Sequence, residues 1–252
     1  MFFFKRKEIV VDCFTFMEAV ALNFPIDRAI KFYPKEFKNL PKLTEIKHNQ
    51  DPDSKLYIKV PTIKSCTGIT DLYSNGLVLP AWDSFSIEML DDNKYSVYSK
   101  SSNVTGEWHH RGQYGEEIFP NSAHIKLLSP WMIKEKTGVK FVWMHPGWSN
   151  TSNTEVATIA PAIVDYKYQF NTHVSFFIRK GAIINYDIGD ALAHIIPLSE
   201  DKIKIKIHVI EESKWHKERQ AVEKFAHFNN HRKLKYPNFF EEQKKCPFGF
   251  GK

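Results

Sequence analysis

The chain has 252 residues, of which 42% are hydrophobic and 14% aromatic, and its 35 Lys and Arg against 29 Asp and Glu give a net charge of +6. This composition excludes a disordered chain and suits one large domain or two small ones. The longest apolar run is broken by Asp12 and Glu18, so it predicts neither a membrane helix nor a secretory signal. Three scattered cysteines form no metal or disulfide pattern, which favours a reducing compartment over secretion.

Residues 1–55 predict a mixed N-terminal segment of helix and loop. A helix is expected around Asp12 to Leu22. The stretch that follows contains Pro25, Pro34 and Pro41, which indicates irregular structure.

Residues 56–212 predict a β domain made of short strands separated by turn-forming residues. The clearest strand is 203–210, where Ile203, Ile205 and Ile207 alternate with lysines, so that one face is buried and the other is wet. The predicted strands are 56–64, 76–82, 84–90, 94–98, 123–128, 139–145, 156–164, 172–179, 192–198 and 203–210. Strands at this spacing without helices between them favour an all-β fold, as an antiparallel sandwich or barrel of the jelly-roll kind.

Residues 213–252 predict a basic amphipathic helix and a tail. Helical spacing of Trp215, Val222 and Phe225 indicates a helix over 214–230 with Ser213 as its N-cap. Ten positive and four negative side chains give this segment a charge of +6, which is the net charge of the whole chain. The cations therefore form a candidate binding site for an acidic or phosphate-bearing macromolecule, unless they belong to a solvated helix and tail with no partner. The candidates are Lys214, Lys217, Arg219, Arg232, Lys233 and Lys235.

Four histidines are candidate metal ligands: His109, His110, His124 and His194. A metal enzyme of the cupin type needs two or three histidines and a carboxylate facing inward from neighbouring strands. The spacing here is irregular, and Gly106 to Gly115 reads as an exposed loop. The alternative is that these side chains are surface residues or hydrogen-bonded strand residues.

Complete catalytic motifs are absent from the sequence. It has no Gly-x-Ser-x-Gly elbow, no Walker-type phosphate loop and no Rossmann glycine fingerprint. The sequence therefore favours a protein that is not an enzyme and that has no cofactor.

The segment from Ala162-Ile163-Val164-Asp165-Tyr166-Lys167-Tyr168 to Ile188-Gly189-Asp190-Ala191-Leu192 resembles two motifs of the dUTPase and dCTP-deaminase β-clip enzymes. The resemblance implies a β-clip-like fold and a nucleotide hydrolase. In that hydrolase Asp165 would orient the attacking water, Tyr168 would pack under the deoxyribose, and Mg²⁺ would bind through the substrate phosphates. Gln169 and Ala191 stand where the family has arginine. The alternative is that Asp165 and Gly189-Asp190 only form turns.

A broader resemblance covers residues 25–211 and runs through Cys66-Thr67-Gly68-Ile69, Ser129-Pro130-Trp131 and Ile196-Pro197-Leu198. The chain is similar to an uncharacterised family of marine T4-like phage proteins with distant bacterial relatives. This resemblance implies an all-β phage protein in the host cytoplasm or the virion. The leading hypothesis is a non-enzymatic binding, structural or accessory protein, and a homo-oligomer stays open.

Overall fold

A computed structural model describes residues 8–47, 57–91, 94–114, 117–148 and 151–220. Strands dominate these residues and form several antiparallel sheets, which confirms the predicted all-β, sandwich-like fold. Within the described ranges no sheet closes into a barrel. No described helix has both the length and the apolar character needed to cross a membrane.

The described strands are numbered in chain order. They are β1 (Glu8–Thr15), β2 (Asp27–Arg28), β3 (Leu43–Lys47), β4 (Tyr57–Pro61), β5 (Leu77–Pro80), β6 (Phe85–Asp91), β7 (Lys94–Ser99), β8 (Gly106–His109), β9 (Ser122–Leu127), β10 (Met132–Glu135), β11 (Lys140–Met144), β12 (Ala157–Ile159), β13 (Ala162–Asp165), β14 (Val174–Arg179), β15 (Ile183–Tyr186), β16 (Ala191–Pro197) and β17 (Lys202–Val209). The α-helices are α1 (Glu18–Asn23), α2 (Lys35–Asn39), α3 (Thr67–Ser74), α4 (Thr151–Val156) and α5 (212–220).

These strands form five sheets. Their orders are β10-β1-β17, β13-β11-β16-β5-β2, β12-β14-β9-β8, β15-β6-β7 and β3-β4. The pairs are antiparallel except β1 with β17, which run parallel from Glu8 opposite Lys202 to Thr15 opposite Val209. One strand from the first 55 residues thus lies between two strands of the predicted β domain.

The N-terminal segment differs from its prediction because its first described element is a strand. The expected helix around Asp12 to Leu22 is replaced by β1 and the shorter α1. Alternate side chains of β1, among them Val11 and Cys13, are fully buried. Asp12 points to the other face, where its Oδ1 lies 2.8 Å from Nε2 of His208.

Several elements of the β domain also differ from the sequence-based expectation, among them the unpredicted α3, α4, β10 and β15. The predicted strand 156–164 is two strands, β12 and β13, with Pro161 between them, because proline cannot donate to a ladder. The expected loop Gly106 to Gly115 begins with β8, which pairs with β9.

The hydrophobic core combines aliphatic side chains with several large aromatic ones. Trp82, Trp131 and Phe176 are among the largest fully buried side chains. The indole N–H of Trp143 donates a 2.6 Å hydrogen bond to the hydroxyl oxygen of Tyr166, and burial raises the Tyr166 pKa well above its ordinary value. Many aromatic residues of the described ranges therefore belong to the core.

Candidate functional site

Helix α5 begins at residue 212, two residues earlier than the sequence predicts. The Trp215 N–H donates to the Glu211 carbonyl at 2.9 Å, so Ser213 lies inside the helix and is not its N-cap. Trp215 is buried, whereas Lys214 and Lys217 are exposed, which confirms an amphipathic helix up to residue 220. The rest of the expected helix, 221–230, lies outside the described residues.

Two contacts fasten α5 to the sheet that contains β1. The Trp215 ring meets Phe16 edge to face, with 5.0 Å between ring centroids. Glu218 Oε2 lies 3.0 Å from Lys134 Nζ in an ion pair. Because the helix is held on its apolar side, its lysines are directed to solvent.

Arg219 differs from the two exposed lysines because it is half-buried. Its guanidinium lies over the Trp215 ring, 5.4 Å from the centroid, in a cation–π arrangement. The positive charge of Arg219 also contributes to the lowered pKa values of Glu107 and His173. We call Lys214, Lys217 and Arg219 the basic surface. The other predicted cations, Arg232, Lys233 and Lys235, lie outside the described residues.

A second group of titratable side chains lies on the sheet of β8 and β9, where the strand register makes two cross-strand pairs. His109 is opposite His124, with 4.6 Å between ring centroids, and Glu107 is opposite Lys126. Lys126 Nζ lies 2.5 Å from Glu107 Oε2, and this hydrogen bond is the main reason that the Glu107 pKa is lowered. We call these four residues together with His173 the histidine cluster.

The imidazoles of the histidine cluster are held in their neutral form. Burial, with the charges of His109 and Lys126, lowers the pKa of His124 to about 4. Burial, with the charges of Arg219 and Lys126, lowers the pKa of His173 to about 3. At neutral pH the cluster therefore carries one ion pair and uncharged rings, and the Arg219 cation acts on two of its members, Glu107 and His173.

The four histidines proposed as metal ligands do not come together. Only His109 and His124 are in contact. His110 is exposed, and its Nδ1 accepts a 3.1 Å hydrogen bond from the Gly112 N–H. His194 lies in β16, in another sheet, with Nε2 3.2 Å from the Asn75 carbonyl. Across the described ranges, no three His, Cys, Asp or Glu side chains are grouped so that they could hold a metal ion.

Asp165 ends β13, and Tyr168 lies in the tight turn that follows. The Asp165 carbonyl accepts from the Tyr168 N–H at 3.0 Å, and Asp165 Oδ1 accepts from the Lys167 N–H at 3.1 Å. Gly189 and Asp190 belong to the turn before β16, where Gly189 has φ +89° and Asp190 Oδ2 accepts from the Asp187 N–H at 2.9 Å. Both segments thus make the turns that the alternative interpretation expects.

Sequence reasoning did not select Glu107, Lys126 or His173 as site residues. Lys126 could have been found, because it lies two residues after His124 on the same strand and therefore on the same face. Glu107 and His173 reach the site through the register of β8 and β14 on β9, which a single sequence does not reveal.

Neither the comparison with protein-family models nor the comparison with curated proteins finds a match to this chain. The resemblances to phage proteins and to the β-clip enzymes therefore stay predictions.

Proposed function

We propose that the protein is a non-enzymatic binding protein that attaches to a phosphate-bearing polymer through the basic surface and the basic segment that follows it. The observation that carries the proposal is the burial of Trp215 at 2% exposure while Lys214 and Lys217 on the same helix are exposed. A buried indole fixes the helix on the β core, and the lysines are presented outward as a consequence.

The charge distribution supports a polyanionic partner. The segment 213–252 carries the entire net charge of the chain. The described part of α5 contains two acidic residues: the Glu218 carboxylate is paired with Lys134, and Glu212 Oε1 lies 3.5 Å from His216 Nε2. The lysines at 214 and 217 are therefore not neutralised by Glu218, and they lie three residues apart on one side of the helix.

Phosphate suits these side chains because it carries charge at regular spacing along a polymer. Lysine binds phosphate as a point charge, and each contact releases condensed counterions, which makes the affinity fall with salt. An acidic polypeptide has the same sign of charge but no condensed counterion layer of that density. Nucleic acid of no particular sequence is thus the simplest probe.

The test is the binding of a short fluorescein-labelled DNA duplex, followed by anisotropy at low salt. The double variant Lys214→Glu, Lys217→Glu should bind at least about tenfold more weakly than the unmodified chain, since two attractive contacts become repulsive. The matched control is Lys35→Glu, Lys38→Glu, because these lysines are also exposed and three residues apart on a helix, α2.

A second arm removes residues 231–252. The truncated chain should keep its β-domain circular dichroism and lose affinity for the duplex. The proposal is wrong if the α5 double variant and the truncated chain both bind as tightly as the intact chain. It is also wrong if the α2 control loses as much affinity as the α5 double variant. Equal binding of polyglutamate would show that charge alone, and not phosphate, is recognised.

A further inference from the structure

A polar platform lies on the outer face of the sheet β15-β6-β7. Successive strand residues alternate between faces, and Phe85, Ile87 and Ile184 point inward and are buried. Side chains in the alternate positions, at one end of the three strands, face outward. These are Ser84, Ser86, Tyr98, Lys100, Asn185 and Asp187.

The platform lines a cavity of about 380 Å³, which Phe85, Ser99 and Tyr186 complete. Its centre is a row of cross-strand neighbours, with Ser86 opposite both Tyr98 and Asn185. Tyr98 is 58% exposed although it lines this cavity. An aromatic side chain that the described residues leave so open offers a flat apolar face to a ligand.

The hydrogen bonds within the platform leave both donors and acceptors available to a ligand. Ser86 donates to Asn185 Oδ1 at 2.6 Å, which occupies the carbonyl of Asn185 and turns its amide N–H groups to other partners. Ser84 Oγ accepts from the Ile188 N–H at 3.1 Å, so its own O–H is a donor. Lys100 adds an ammonium donor and Asp187 a carboxylate acceptor, and these two charges cancel.

We propose that this platform binds one pyranose unit of a neutral carbohydrate. A sugar ring has an apolar C–H face that stacks on an exposed aromatic ring, and a rim of hydroxyls that both donate and accept. The platform supplies one flat ring with donors and acceptors around it. A phosphate chain fits less well, because the lining of the cavity contains one lysine and one aspartate and so has no net positive charge.

This inference goes beyond the proposed function. The platform lies on the sheet β15-β6-β7, whereas α5 contacts the sheet β10-β1-β17. The platform also uses none of the cations of the basic surface. A carbohydrate site and a polyanion site can therefore fail or succeed separately in experiment.

The experiment is saturation-transfer NMR on the intact chain with methyl glycosides of glucose, galactose, mannose, fucose and N-acetylglucosamine, followed by titration of the best ligand. We expect at least one glycoside to bind with a Kd of about 1 mM. Tyr98→Ala and Asp187→Ala should each weaken that binding about tenfold, which corresponds to about 1.4 kcal/mol. Both side chains are exposed, so the thermal midpoint should barely change.

The matched control is Tyr57→Ala. Tyr57 is a β4 tyrosine with 55% exposure that does not line the cavity, so its replacement should leave binding unchanged. The proposal is overturned if no glycoside gives a signal. It is equally overturned if Tyr98→Ala binds like the unmodified chain or if Tyr57→Ala loses as much affinity as Tyr98→Ala.

Discussion

The rings of Trp215 and Phe16 meet edge to face, with 5.0 Å between their centroids. Phe16 directly follows the first described strand, and Trp215 lies in the last described helix. The contact therefore joins the two ends of the described chain. It also decides which side of α5 is covered and which side presents lysines.

Replacing Trp215 by alanine should lower the free energy of unfolding by about 3 kcal/mol, because it removes a large buried ring and leaves a cavity. Trp215→Phe should cost much less. Phenylalanine keeps an aromatic ring, and it removes an indole N–H that is buried without a hydrogen-bond partner among the described residues. Urea unfolding followed by circular dichroism measures both, and equal losses in the two variants would contradict this account of the contact.

Acid should destabilise the protein partly through His124. Its pKa is lowered from 6.5 to about 4 in the folded chain, so between these values the unfolded chain binds a proton that the folded chain does not. Stability is therefore full above pH 6.5 and falls as the pH drops toward 4. In His124→Phe the ring can still stack on Phe177, which lies 4.8 Å away by ring centroids, but this titration is gone.

Urea midpoints at several pH values between 7.5 and 4 measure the difference between His124→Phe and the unmodified chain. As the pH falls through this range, the urea midpoint of the unmodified chain should decrease relative to that of His124→Phe. Parallel curves would show that His124 takes up its proton equally in the folded and unfolded chains.

Gly76→Ala should be strongly destabilising, by at least about 1 kcal/mol. Gly76 has φ +93°, and an added Cβ would lie 2.6 Å from the Ile195 carbonyl oxygen. Gly68→Ala is the matched control, because Gly68 is in α3 with nothing within 4 Å of the added carbon. Alanine at position 68 should raise stability by about 0.5–1 kcal/mol. A thermal melt in which Gly76→Ala is more stable than Gly68→Ala would refute the positive φ and close packing described for Gly76.

Asp165 provides the test between a binding protein and a nucleotide hydrolase. We expect no Mg²⁺-dependent release of pyrophosphate from dUTP or dCTP by the unmodified chain or by Asp165→Asn. The asparagine keeps an oxygen that can accept from the Lys167 N–H, so the turn should stay folded. Turnover that disappears in Asp165→Asn would replace the binding proposal with the hydrolase.

Much of the fold follows from local patterns that the sequence displays. The strand at Lys202–Val209 is predicted because isoleucines and lysines alternate strictly, and the helix containing Trp215 is predicted from its apolar spacing. The strand at Glu8–Thr15 was missed because its outer face carries the apolar Val10 and Phe14 as well as Glu8 and Asp12. Val10 and Phe14 are half-buried opposite β17, which hides the alternation.

The candidate site was less predictable than the fold. The cations of α5 could be identified from charge alone, since charge counts need no tertiary structure. The histidine cluster needs the register that sets His109 opposite His124, and a slip of one residue would place the two rings on opposite faces. The polar platform likewise depends on three strands whose alternate residues become neighbours only in the sheet.

The most direct test of the central claim is the salt dependence of binding to the DNA duplex. A plot of log Kd against log salt should be steep for the intact chain. For Lys214→Gln, Lys217→Gln its slope should fall by about two, because each phosphate contact contributes about 0.9. Binding that is insensitive to salt, or a slope that the two substitutions leave unchanged, would contradict the account.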